Sequence, residues 1–122
     1  MVGATMRMLL ALAITLLAAA PAHAASQCSS ADLRYPFMKG GPKTFGVFHL
    51  RVTNGSCSTA HAAAKAWMTK FEKNLRNGSV KRPKHAGGFT FTELPPTAAQ
   101  TYRLRGVKGG TRINFDYVVP NG

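Results

Sequence analysis

Beyond position 24, the side chains from which an active site would be built are His49, His61 and His85 with Asp32, Glu72, Glu93 and Asp116. A glycosidase needs two carboxyl groups cooperating across one bond, and these four acids fall on four separate expected elements. The histidines show no metal-ligand spacing, and two cysteines consumed by a disulfide leave no thiolate for zinc. A histidine nuclease wants two imidazoles and a basic phosphate clamp. His49, on a strand with basic residues near it, is the sole hint of one, and a structural histidine is the plainer reading. No Gly-x-Ser-x-Gly, P-loop or His-Glu-x-x-His is present. The glycines of residues 106–110 read as a turn, because no helix follows to bind phosphate at its N-terminus. The expectation is therefore no catalytic, cofactor-binding or metal-ligating residue.

The cations offer more. Lys81, Arg82, Lys84 and His85 make a dense basic loop, Lys65, Lys73 and Arg76 a helix face, and Arg103, Arg105, Lys108 and Arg112 crowd one hairpin beside Tyr102. Lys81, Arg82, Lys84, Arg103, Arg105, Lys108 and Arg112 are the candidate anion-binding set, able to grip phosphate or carboxylate polymers by charge. A merely solvated face is the competing reading. No base-reading motif accompanies them, so sequence-specific nucleic-acid recognition is unsupported.

The charge is set by sixteen Lys and Arg against four Asp and Glu, a formal +12 in 122 residues. Residues 1–24 read as an export signal. Arg7 supplies the positive start, 8–20 an apolar run interrupted by Thr15, and Pro21-Ala22-His23-Ala24 a cleavage site after Ala24. The run is short of the roughly 20 residues that span a bilayer. Cleavage removes Arg7 and leaves a mature net charge of +11, which favours nucleic acid, acidic wall polymers or anionic lipid surfaces as partners. The chain is expected to be released or loosely held at the envelope, and monomeric. In an exported chain its two cysteines predict one disulfide, Cys28–Cys57, contributing about 3.5 kcal/mol in the loop-entropy account.

Positioning falls to few elements. Residues 25–43 form an N-terminal arm and 44–122 a single small domain. Residues 45–53 alternate as a half-buried strand, with Phe48, Leu50 and Val52 on one side and Val47, His49 and Arg51 on the other. Residues 56–77 are the one strong helical pattern, with Ala60, Ala64, Trp67, Met68, Phe71 and Leu75 on one face. Ser56 or Ser58 is suited to cap it, Asn77-Gly78 to stop it, and Trp67 belongs to the core. Asn54-Gly55-Ser56 and Asn77-Gly78-Ser79 match the glycosylation pattern but are read as turn chemistry. Strands follow over 88–94 (Phe89, Phe91 inward), 101–107 (Tyr102, Leu104) and 111–119 (Ile113, Phe115, Tyr117, Val119), with Lys108-Gly109-Gly110 as a hairpin turn. The predicted fold is α+β, one amphipathic helix packed on a small antiparallel sheet in the order β-α-β-β-β.

The run Val52 to Ala60, leading to Ala66-Trp67, resembles a family of small secreted proteins of unassigned function common in actinobacteria. These have a Ser-Cys-x-x-Ala helix start, a basic helix carrying an aromatic, and a basic β-meander. Gly88-Phe89-Thr90-Phe91, Tyr102-Arg103-Leu104-Arg105 and Arg112-Ile113-Asn114-Phe115 match its later segments. The resemblance brings no catalytic or binding residue with it. It implies that Phe91 and Leu104 stand where the family has a second pair of cysteines, an apolar contact replacing a crosslink.

Function is thus expected to be non-enzymatic association with anionic envelope or extracellular polymers. A small hydrolase of phosphodiester or cell-wall bonds is the first rival, and a convergent His–carboxylate pair in a cleft would distinguish it. An inhibitor or other protein-binding module is the second, with residues 95–99 as its loop.

Overall fold

The computed structural model describes residues 24–120, so the expected signal lies, but for Ala24, outside the described residues. The longest element is the helix α1, Cys57–Arg76. Ser56, extended at φ −96°, accepts from the Thr59 amide and caps its start. Gly78 at φ +79° and the Ser79 amide bonded to the Asn74 carbonyl close its end, as a left-handed C-terminal stop requires.

Around α1 lie the strands β1 (Ser26–Gln27), β2 (Arg34–Tyr35), β3 (Phe45–Thr53), β4 (His85–Ala86), β5 (Phe89–Leu94), β6 (Thr101–Lys108) and β7 (Thr111–Val118), with a 3-10 turn at Ala31–Leu33. They form one antiparallel sheet in the order β1-β3-β7-β6-β5-β4, with β2 also paired to β3. The fold is α+β, as predicted. The three two-residue strands extend the expected four because their backbones pair with longer neighbours, and so short a segment carries no periodicity to read.

One face of the sheet is closed by α1. Trp67 is wholly buried there, 5.5 Å from Phe115 and 5.2 Å from Tyr117 between ring centroids, and its Nε1 donates to the Pro83 carbonyl at 3.1 Å. Phe71 meets Tyr102 and Tyr117 edge-on. Ala60, Ala63 and Ala64 are buried and let the helix approach closely, whereas Leu75, expected inside, lies in the last turn and is exposed. Gly106 faces inward on β6, and a Cβ there would stand 2.6 Å from the Phe91 ring, so only glycine leaves room for that aromatic.

The phase of β3 differs from simple alternation. Phe48 pairs with Asp116 and Arg51 with Asn114, so two residues, His49 and Leu50, stand opposite Phe115 alone. His49 has φ +55°. This β-bulge inserts one residue and flips the pattern before it. Val47 therefore shares the buried face with Leu50 and Val52, and Phe48 turns to the other side. Phe91 and Leu104 are both buried on adjacent strands, one diagonal step apart, since Phe91 pairs with Gly106 and Leu104 with Glu93.

Cys28 and Cys57 are disulfide-bonded, with Cα atoms 5.3 Å apart. The bridge ties the arm after β1 to the first turn of α1. The Cys28 amide also bonds the Leu50 carbonyl, so the arm continues the sheet edge. Among the described residues no helix is long and apolar enough to cross a membrane.

Candidate functional site: the open sheet face and the His49 cleft

Alternation along each strand decides what the uncovered face presents. With Leu104, Gly106, Ile113, Phe115, Tyr117, Leu50 and Val52 committed to the core, Arg103, Arg105, Arg112 and Arg51 point the other way. Register makes them neighbours. Arg105 and Arg51 both pair with Asn114, Arg103 lies opposite Asp116, and Arg112 lies one row along, opposite Val107 and Thr53. Among the described residues no helix or second sheet packs over this face.

The candidate anion-binding set is therefore divided. Arg103, Arg105 and Arg112 share the open face. Lys108 has the inward parity of β6 and lies over Gly88, its Nζ 3.2 Å from where a Cβ would be. Lys81, Arg82 and Lys84 lie on the loop after α1. Lys84 shares a groove with Lys70, Lys73 and His85, while Arg82 is engaged by Glu93 at 2.8 Å, by the Val80 carbonyl and by the Tyr102 ring. Arg51 belongs with the open-face group and was absent from that set.

At one end of this face the bulge aims His49 at Asp116, with Nδ1 2.9 Å from Oδ2. The two belong to a cleft of about 400 Å³ that Arg34, Arg51, Thr97 and Arg103 also line. Arg34 is held by the Val47 carbonyl, by Ser30 Oγ and by stacking on Phe48. Ser30 is itself wholly buried and donates to the same carbonyl at 2.7 Å. Arg103 donates to the Pro95 carbonyl at 3.2 Å and stands 3.7 Å from Asp116 Oδ1. Two guanidiniums are thus pre-positioned by the backbone, and loop 95–99 forms part of the cleft wall. Nothing in the sequence marks this site, because Phe48, Leu50 and Val52 offer an unbroken alternation and only the register of β3 on β7 reveals the slip at His49.

The other acids are also engaged. Asp32 accepts from His61 at 2.7 Å, and that bond holds its carboxyl below the ordinary aspartate range. Tyr117 donates to Glu72. Burial first, then the Glu72 carboxylate, pushes the Tyr117 hydroxyl far above its ordinary range, and burial does the same to Tyr35 more mildly. Among the described residues no group of three His, Cys, Asp or Glu side chains is placed to hold a metal.

No family model matches the chain, and no curated protein or solved structure matches it.

Proposed function

We propose that the protein is exported and associates, without catalysing a reaction, with anionic polymers of the envelope or its surroundings through the open face of its sheet. One observation carries this reading. Arg51, Arg103, Arg105 and Arg112 occupy three adjacent strands on the face opposite α1, with Asp116 the one acid among them. Neighbouring strands are about 4.8 Å apart, so the guanidiniums form a compact field matched to closely spaced phosphates or carboxylates. Arginine suits the task because its planar fork binds such groups in pairs and is weakly hydrated. The net positive charge of the whole chain raises the encounter rate.

The test is a titration of the oxidised mature protein with wall teichoic acid, nucleic acid, polyglutamate and anionic vesicles across a salt series. Binding that weakens steeply with salt is the expected result. Absence of binding to all four at low salt would overturn the reading.

A second reading, a small phosphodiester or cell-wall hydrolase, is favoured by one observation: His49 and Asp116 form a His–carboxylate pair in a cleft. It requires turnover of RNA, DNA or peptidoglycan by the wild type that is lost in His49→Ala.

A further inference from the structure

We infer that the cleft around His49 is a site for a phosphodiester whose neighbouring carbon carries a hydroxyl group. The inference rests on the reading that anionic polymers engage this face, and it names the chemical unit they present there.

A carboxylate has no hydrogen to give, so the 2.9 Å contact with Asp116 places the proton on Nδ1 of His49. In the neutral ring Nε2 is then a hydrogen-bond acceptor. Among the described residues it has no partner, and the His49 side chain is 74% exposed. The left-handed backbone at His49 is uncommon for a non-glycine residue and is the geometry that delivers the ring to Asp116.

Around this acceptor the cleft is lined by guanidiniums. Arg34 and Arg103 are fixed by backbone carbonyls, and the Arg51 side chain makes no hydrogen bond among the described residues. Three cations with one paired carboxylate attract an anion, but an isolated phosphate offers Nε2 no donor when it is fully ionised. A hydroxyl one carbon away from a phosphodiester does. The ligand therefore combines phosphate oxygens for the guanidiniums with a hydroxyl that donates to Nε2. A volume of about 400 Å³ accommodates one such unit. Two polymers carry it, ribonucleic acid and polyol-phosphate wall polymers.

The probes are the diribonucleotide UpU, its deoxy counterpart and glycerophosphoglycerol, titrated into the oxidised mature protein with the His49 ring followed by NMR. UpU is expected to bind about five-fold more tightly than the deoxy compound, the worth of one net hydrogen bond, and to shift the His49 ring resonances. Tighter binding of glycerophosphoglycerol than of UpU identifies the wall polymer as the source, and the reverse identifies RNA. His49→Asn keeps a residue tolerant of positive φ and is expected to abolish the preference. Asp116→Asn adds net positive charge, so it should strengthen the attraction for both dinucleotides while the preference for the hydroxyl falls. Equal binding of UpU and its deoxy counterpart overturns the inference while leaving the electrostatic reading standing. Failure of every polyanion to bind overturns that reading instead.

Discussion

The indole of Trp67 meets the Tyr117 ring edge-on at 5.2 Å, and this contact determines which face of the sheet is closed. Both side chains are wholly buried. Once α1 is seated on Tyr117, Phe115 and Phe91, with Ile113 and Leu104 buried on the same face, the residues that alternate with them, Asn114 and Asp116 on β7 and Arg103 and Arg105 on β6, can only face the other side. The functional face follows from where the aromatics go.

Trp67→Ala removes the centre of that packing. A loss of about 3–5 kcal/mol is expected, a large share of the stability of so small a domain. Urea denaturation followed by far-UV circular dichroism should show the midpoint falling sharply. Trp67→Phe keeps an aromatic but leaves the Pro83 carbonyl without its donor, and about 2 kcal/mol is expected.

The Cys28–Cys57 bridge was legible from the sequence, as were the helix limits within a residue, the burial of Trp67 and the inward sets of β5, β6 and β7, while the cap was narrowed to Ser56 or Ser58 and is Ser56. These depend on local chemistry or unbroken periodicity. The His49 site was not legible, because a single inserted residue in β3 exchanges Val47 and Phe48 between faces and no turn residue marks it. The pairing of Asp116 with His49 spans 67 residues and needs the register of β3 on β7, and its meeting with Arg103 needs the register of β6 on β7. The grouping of the cations failed for a related reason: closeness in sequence placed Lys108 with Arg105, but parity along β6 separates them.

Replacing both cysteines by serine should cost about 3.5 kcal/mol in the loop-entropy account. The arm is also held by the Cys28 amide bond to Leu50 and by the His61–Asp32 contact. Hydrogen exchange on the double variant is therefore expected to show the amides of residues 26–28 losing protection well before those of β6 and β7.

Tyr117 gives the fold an alkaline limit. Its folded-state ionisation is raised above the ordinary value of 10.0, so stability is full below that pH and falls as the unfolded chain ionises first. The slope is at most about 1.4 kcal/mol per pH unit. Tyr117→Phe loses the bond to Glu72 and should be about 1–3 kcal/mol less stable at pH 7. Its further loss between pH 7 and pH 11 should be smaller than the wild type's, as read from urea midpoints at the two values.

The central claim is that polyanions engage the open face rather than the protein's charge at large. Arg51, Arg105 and Arg112 serve as the test because they are exposed and make no side-chain hydrogen bond among the described residues. The measurement is the slope of log Kobs against log salt for duplex DNA, a calibrated polyphosphate, in the wild type, in Arg51→Gln/Arg105→Gln/Arg112→Gln and in Lys81→Gln/Lys84→Gln. The open-face variant is expected to lose about 2–3 units of slope, close to one per phosphate contact removed, with the lysine variant near the wild type. An unchanged slope in the arginine variant, with the loss appearing in the lysine variant, would contradict the account and move the binding surface to the loop after α1.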